Sequence, residues 1–272
     1  MLGIMQGRLT PPVEGRIQAF PREHWASEFP NAAAAGLDAV EWIYDVYGVG
    51  ANPLDTLEGI AAIQTLSAAH KVAVRSVCAD YFMDFTFVRA TDEERAERIE
   101  RLAALLSQAS KVGVHRFVLP FVDSSAIRDE ADRDAVVDTL KRALPAARAA
   151  GIELHLETSL PPGDFAALLA RVPDPLVKVN YDSGNSSSLG YKPADEFAAY
   201  GDRLGSVHIK DRVLGGGTVP LGEGDADFDA VFDGLRRLNY AGDLVLQVAR
   251  GQMGEEVAWA RHNREFVARY LN

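Results

Sequence analysis

Short runs rich in aliphatic and aromatic residues recur eight times along the chain: 2–8 (LGIMQGR), 37–43 (LDAVEWI), 72–78 (VAVRSVC), 115–121 (HRFVLPF), 152–158 (IELHLET), 176–182 (LVKVNYD), 204–210 (LGSVHIK) and 243–249 (DLVLQVA). Their length and period predict strands. Between them the apolar period lengthens to that of a helix, as in Ile99, Leu102, Leu105, Leu106 and Ala109, in Val136, Val137, Leu140, Ala143 and Leu144, and in Phe228, Val231, Phe232, Leu235 and Leu238. Boundary residues agree: Thr91 with Glu94 forms a capping box, Pro193 suits a first helical turn, and Gly36, Gly113 and Gly151 each stand between a helix and the next strand. Pro145 is the exception, inside the fourth helical segment, where a kink or a late helix start is expected.

Eight βα units of about 34 residues fill the 272 residues without a linker or a break in composition. The expectation is therefore one domain over 1–272, an α/β chain folded as a (β/α)8 TIM barrel with its sites at the C-terminal strand ends. A doubly wound sheet competes, because alternation alone does not close a barrel.

Alternation also divides each strand into two faces. Ile152, Leu154 and Leu156 oppose Glu153, His155 and Glu157; Val177, Val179 and Tyr181 oppose Lys178, Asn180 and Asp182; Val207 and Ile209 oppose Ser206, His208 and Lys210; Val245 and Gln247 oppose Leu244, Leu246 and Val248. The polar faces are expected inside the barrel, where so many polar groups cost several kcal/mol unless paired. Glu157, Asp182, His208 and Gln247 fall near one level on four successive strands, a donor set suited to Mn2+, Co2+, Mg2+ or Zn2+. A metal-free network with Lys178 and Lys210 is the alternative. Glu41 also faces inward, to orient a substrate hydroxyl or to pair with Arg8 or Arg75. His155, deeper than Glu157, reads as a core histidine, and Trp25 and Trp42 as packing residues. For an anion, the signals are the Gly215–Gly216–Gly217 loop, Arg212 and Arg250, each equally readable as surface.

Composition narrows the partners. Lys+Arg 28 against Asp+Glu 39 leaves a net charge of −11, which opposes nucleic-acid binding. The single cysteine, Cys78, permits no intrachain disulfide and fits a reducing cytoplasm. No apolar run approaches the roughly 18 residues that span a bilayer. The expected partner is a small molecule, with homo-oligomer formation left open.

Most of the chain, and most specifically its second half, resembles the xylose-isomerase-like barrels that include sugar phosphate isomerases and epimerases, nearest to the L-xylulose/L-ribulose 5-phosphate 3-epimerases. The resemblance rests on HLET (155–158), NYDSGN (180–185), VHIKD (207–211) and VPLGEGDADFDAVFDGLRRLNYAGDLVLQ (219–247), in that order. It implies Glu157, Asp182 and His208 as ligands of a divalent metal, Glu157 as catalytic base, and Asn185 and Lys210 as residues contacting metal or substrate. Such epimerases place a glutamate, both ligand and second base, where this chain has Gln247. A glutamine can coordinate through oxygen but cannot take a proton, which favours one-base reactions: aldose–ketose isomerisation, or dehydration of a 2-keto polyol. Epimerisation then needs another proton source, with His155, Glu41 or water as candidates. A sugar-binding barrel without catalysis is a further reading. The endonuclease IV-type barrels fit poorly, since Asn185 stands where their D-x-x-H pattern has histidine.

Overall fold

The computed structural model describes residues 1–271. Eight parallel strands, β1 (Leu2–Met5), β2 (Ala39–Ile43), β3 (Ala73–Cys78), β4 (Arg116–Phe121), β5 (Glu153–Thr158), β6 (Val177–Asp182), β7 (Leu204–Ile209) and β8 (Leu244–Leu246), pair in sequence order around a closed barrel. Closure is made by β1, which pairs with β2 on one side and with β8 on the other, Leu2 opposite Leu244 and Ile4 opposite Leu246. No sheet edge is left among these strands, so the doubly wound alternative falls away.

The alternation does what its period requires. Ile152, Leu154 and Leu156 are fully buried against the helical layer, as are Val177, Val179, Val207 and Ile209, while the polar faces turn into the lumen. Helix Asp92–Ser110 starts on the capping box, with Thr91 Oγ1 accepting from Glu94 N and Glu94 answering Thr91 N, and buries Ile99, Leu102, Leu105, Leu106 and Ala109. Helix Glu130–Ala150 neither starts late nor stops at Pro145. That proline lies on the exposed side of the helix, where water can satisfy the carbonyl it leaves unpaired. Trp42 is buried among Phe20, Trp25 and Phe29 with its indole N–H on Asn52, so both tryptophans are packing residues.

Two strands are shorter than their sequence patterns. β1 ends at Met5 because the chain turns over Gln6–Arg8, with Gly7 at φ 79° and Arg8 N returning to Met5 O. β8 ends at Leu246, although Gln247 N still donates to Ile209 O. Gly205 in β7 marks a close approach: a Cβ there would sit 2.5 Å from His155 Cε1, so the strand passes the lumen histidine only without a side chain.

Below the lumen, Asp243 accepts from Arg75 Nε at 2.9 Å and from Arg116. Burial opposes its ionisation, but the Arg116 and Arg75 guanidinium groups outweigh burial and hold its pKa at about 2. An unfolded aspartate titrates near 3.9, so this stabilisation is complete above about pH 4 and is lost as the pH falls toward the folded value. Asp243→Asn is expected to lower the thermal midpoint near neutral pH and to flatten the acid loss of stability across that window. Thermal melts as a function of pH test this, and an unchanged midpoint would show the cluster to be idle.

Candidate active site

At the C-terminal ends of β5, β6 and β7, the side chains of Glu157, Asp182 and His208 converge. One donor atom from each lies within 4.8 Å of the other two. His208 Nδ1 is 3.2 Å from Glu157 Oε2 and 4.0 Å from Asp182 Oδ2. All three residues are buried. Asp182 is paired directly with His208, while the β5–β6 register sets Glu157 beside Asn180, two residues before Asp182, so its side chain reaches the other two from one strand away.

Each of the three is held from behind. Asp182 uses Oδ1 to cap helix Ser183–Leu189 by accepting from Asn185 N at 2.7 Å, which leaves Oδ2 turned to the site. Asn180 Nδ2 donates to Glu157 Oε2 at 2.7 Å, and Asn185 Nδ2 donates to Glu157 Oε1 at 2.6 Å. His208 Nε2 meets Glu41 Oε2 at 2.6 Å. This fixes the ring so that Nδ1 faces the two carboxylates, the arrangement by which a carboxylate orients a metal-binding histidine. Burial would lower the imidazole pKa, but Glu41 and Glu157 outweigh it and hold it well above its ordinary value. Reciprocally, burial would raise Glu41, and His208 holds it below the ordinary carboxylate range.

The ion pair expected for Glu41 with Arg8 or Arg75 is not made: its side chain is fully buried behind His208 and is not among the residues that line the pocket. Arg8 instead donates to Val248 O and Ile17 O, and Arg75 to Asp243. His155 is the core histidine anticipated, fully buried, with Nδ1 at Ser206 Oγ and Nε2 at Glu153. Burial holds it below the ordinary imidazole value.

Gln247 reaches the same end of the barrel, but its amide spans two neighbours. Its Oε1 accepts from Lys210 Nζ at 3.2 Å and its Nε2 donates to Gln18 Oε1 at 3.2 Å. Lys210 Nζ also lies 3.4 Å from Asp182 Oδ2 and 3.3 Å from Asn185 Oδ1. Lys178 interacts instead with Glu153, deeper in the lumen. Two carboxylates and an imidazole around one point form a donor set for a divalent ion with coordination positions left over for substrate, so the residues present fit a metal. The charge balance agrees, because Glu41, Glu157 and Asp182 outnumber His208 and Lys210 there even with the imidazole protonated.

Above the cluster opens a pocket of about 520 Å³. Glu157, Asn185, Lys210, Arg212 and Gln247 line it, and Arg250 does not. The Arg250 guanidinium is spent on the carbonyl oxygens of Thr10, Arg16 and Ile17, so it braces the loop after β1. In the glycine loop two amides are already engaged, Gly215 N donating to Ser188 O and Gly216 N to Val213 O, and Gly216 O accepts from Arg212. Sequence patterns missed Arg8, Gln18 and Asp80, which also line the pocket. Gln18 lies in a loop without period, and Asp80 follows the third strand, so the strand alternation that located the other residues did not reach them.

The chain matches the model of the xylose isomerase-like TIM barrel family over residues 29–270 and belongs to that family. It is similar to the putative L-ribulose-5-phosphate 3-epimerase SgbU of Escherichia coli (strain K12), at 26% identity over 243 residues, 82% of this chain and 83% of the relative. It is also similar to the inosose dehydratase of Geobacillus kaustophilus (strain HTA426), at 25% over 167 residues, 53% and 54% of the two chains. Among solved structures, an IolI protein with a bound zinc atom superposes with a TM-score of 0.78 at 16% identity, covering 99% and 98%. No helix among the described residues is long and apolar enough to cross a membrane.

Two predictions follow from this geometry. A raised His208 pKa means that an incoming ion displaces the Nδ1 proton, so affinity for Mn2+ falls as pH falls and Glu41→Ala weakens it by about 10–100-fold. Calorimetric titration in buffers of different ionisation enthalpy reads both the proton release and the affinity. Arg250→Ala is expected to change the KM for free and phosphorylated ketoses equally and to lower the thermal midpoint; a loss confined to phosphorylated sugars would return Arg250 to the binding site.

Proposed function

We propose that the protein is a divalent-metal-dependent isomerase or epimerase of a sugar or sugar phosphate, acting through an enediolate. The observation that carries this reading is the convergence of Glu157, Asp182 and His208 beneath a polar pocket large enough for an open-chain ketose. The relatives named as L-ribulose-5-phosphate 3-epimerases support the reaction class, and the zinc in the IolI structure supports the cofactor. Glu157, Asp182 and His208 would hold the ion, with Gln247 as a fourth ligand through Oε1 once Lys210 releases it. A bound divalent ion supplies Lewis acidity to a carbonyl and its neighbouring hydroxyl.

Glu157 is the base. Its Oε1 and Oε2 each accept from an amide, Asn185 and Asn180, which keeps the carboxylate oriented at the pocket floor. Lys210 and Asn185 line the wall beside it and contact substrate oxygens. A single base suffices to move a proton between adjacent carbons on one face, or to start loss of water from a 2-keto polyol. The second of these is the alternative reading, favoured by the inosose dehydratase relative and by the amide at position 247.

Metal-stripped protein is expected to lose deuterium exchange from D2O into ketose substrates and to regain it with Mn2+ or Co2+. Glu157→Gln is expected to reduce exchange by about 10²–10⁴-fold. Exchange that survives either treatment removes the proposed base or the proposed cofactor.

A further inference from the structure

Epimerisation moves a proton off one face of a carbon and onto the other, so it needs proton-transfer groups on two walls of the pocket. Glu157 supplies one wall, and Gln247 on β8 supplies an amide that neither gives nor takes a proton. Four other carboxylates line the pocket. Asp45 is consumed by the backbone, accepting from Gly48 N and Phe20 N, and Asp84 and Asp123 are exposed at the rim. Asp80 alone is partly buried with its oxygens held by side chains: Oδ2 accepts from Gln18 Nε2 at 2.6 Å and Oδ1 from Cys78 Sγ at 3.2 Å.

The residue lies two positions past the end of β3. Cys78 is level with Val118, and Val118 with His155. Asp80 itself lies past the paired residues, with αR backbone at the N-cap of the short helix Tyr81–Asp84, and it lines the same pocket as Glu157 from two strands away around the mouth. The Gln247 amide then links the walls: Lys210 on its oxygen, Gln18 on its nitrogen, and Asp80 beyond Gln18. Resting on the reading of the site given above, we propose that Asp80 is the second proton-transfer residue of an epimerase, reaching the substrate from a different wall of the pocket than Glu157. Burial, with Asp45 and Glu157 nearby, raises its carboxyl to about 6 against the bonds from Gln18 and Cys78, so both protonation states are accessible near neutral pH. Arg8, on the loop after β1, is the cation whose field reaches it.

The proton bookkeeping closes without a co-reactant. The Glu157 carboxylate removes the proton beside the carbonyl, and the C–H electron pair becomes the C=C bond of the enediolate as the carbonyl oxygen takes up charge. Neutral Asp80 then gives its proton to the opposite face of the same carbon, the double-bond pair forms the new C–H bond, and the carbonyl is restored. Glu157 is left protonated and Asp80 ionised, and solvent resets both. In the reverse direction the roles exchange.

The test compares Mn2+-loaded wild type and Asp80→Asn in D2O, with a ketose chosen from a panel as a wild-type substrate. The expected result is that Asp80→Asn makes the epimer at least about 100-fold more slowly yet still washes deuterium into recovered substrate, because Glu157 takes the proton and returns solvent deuterium on its own face. Glu157→Gln loses both. An Asp80→Asn variant that epimerises at the wild-type rate, or that folds and loses exchange and epimerisation equally, overturns the proposal. Should that variant fail to fold, the wild type decides: early product carrying solvent deuterium at the inverted carbon supports two groups on two faces, whereas product retaining the substrate's own hydrogen overturns it. If the wild type only isomerises, Asp80 loses this role while the reading of the site stands. If no ketose exchanges at all, both fall.

Discussion

Charge buried in the barrel lumen is the constraint that orders the rest of this structure. Glu41, His208 and Glu157 lie in line, with the imidazole between two carboxylates, 2.6 Å from one and 3.2 Å from the other, and with Asp182 at its side. Carboxylates out of water are tolerable only when paired and hydrogen-bonded. The lumen meets that demand with amide donors from Asn180 and Asn185 and with the ammonium of Lys210. Apart from Glu41 Oε1, which has no hydrogen-bond partner, these groups are paired and thereby immobilised, which is what a coordination site requires before any ion arrives.

Support reaches the site through polar links rather than through the aliphatic layer. Asn180 Oδ1 accepts from Ser206, whose hydroxyl contacts His155, and His155 in turn meets Glu153. On the other side, the Gln247 amide joins Lys210 to Gln18. The Gln247 amide both accepts and donates, so position 247 becomes a bridge across the mouth. The loop after β1 is itself locked by Arg8 and Arg250, whose guanidinium groups bind main-chain carbonyls. Two arginines that would make a pocket electropositive are thus absorbed into holding its wall, and the lining keeps more acids than bases.

Much of the site was legible from strand alternation. Glu157, Asp182 and His208 are found together because each ends a strand of period two, and alternation assigns a residue to the lumen without knowledge of its neighbours. The same rule placed Glu41 inside correctly but said nothing of depth: the β2–β3 pairing shifts register at Val40 and Glu41, and the carboxylate ends behind His208 instead of at the mouth. Arg250 was misplaced because it lies past the end of β8, where no period constrains the side chain.

From the sequence alone came the eight strands, the helical faces between them and the identity of the polar groups on the inner face, since these are set by short-range periodicity and by local caps such as Thr91 with Glu94. Tertiary structure alone decided that β1 meets β8. It also brought Asp80 and Glu157 into the lining of one pocket, and set the turn of the Gln247 amide toward Lys210 and Gln18. Register between strands far apart in sequence, and the path of loops freed from that register, are properties of the closed barrel and have no local signature.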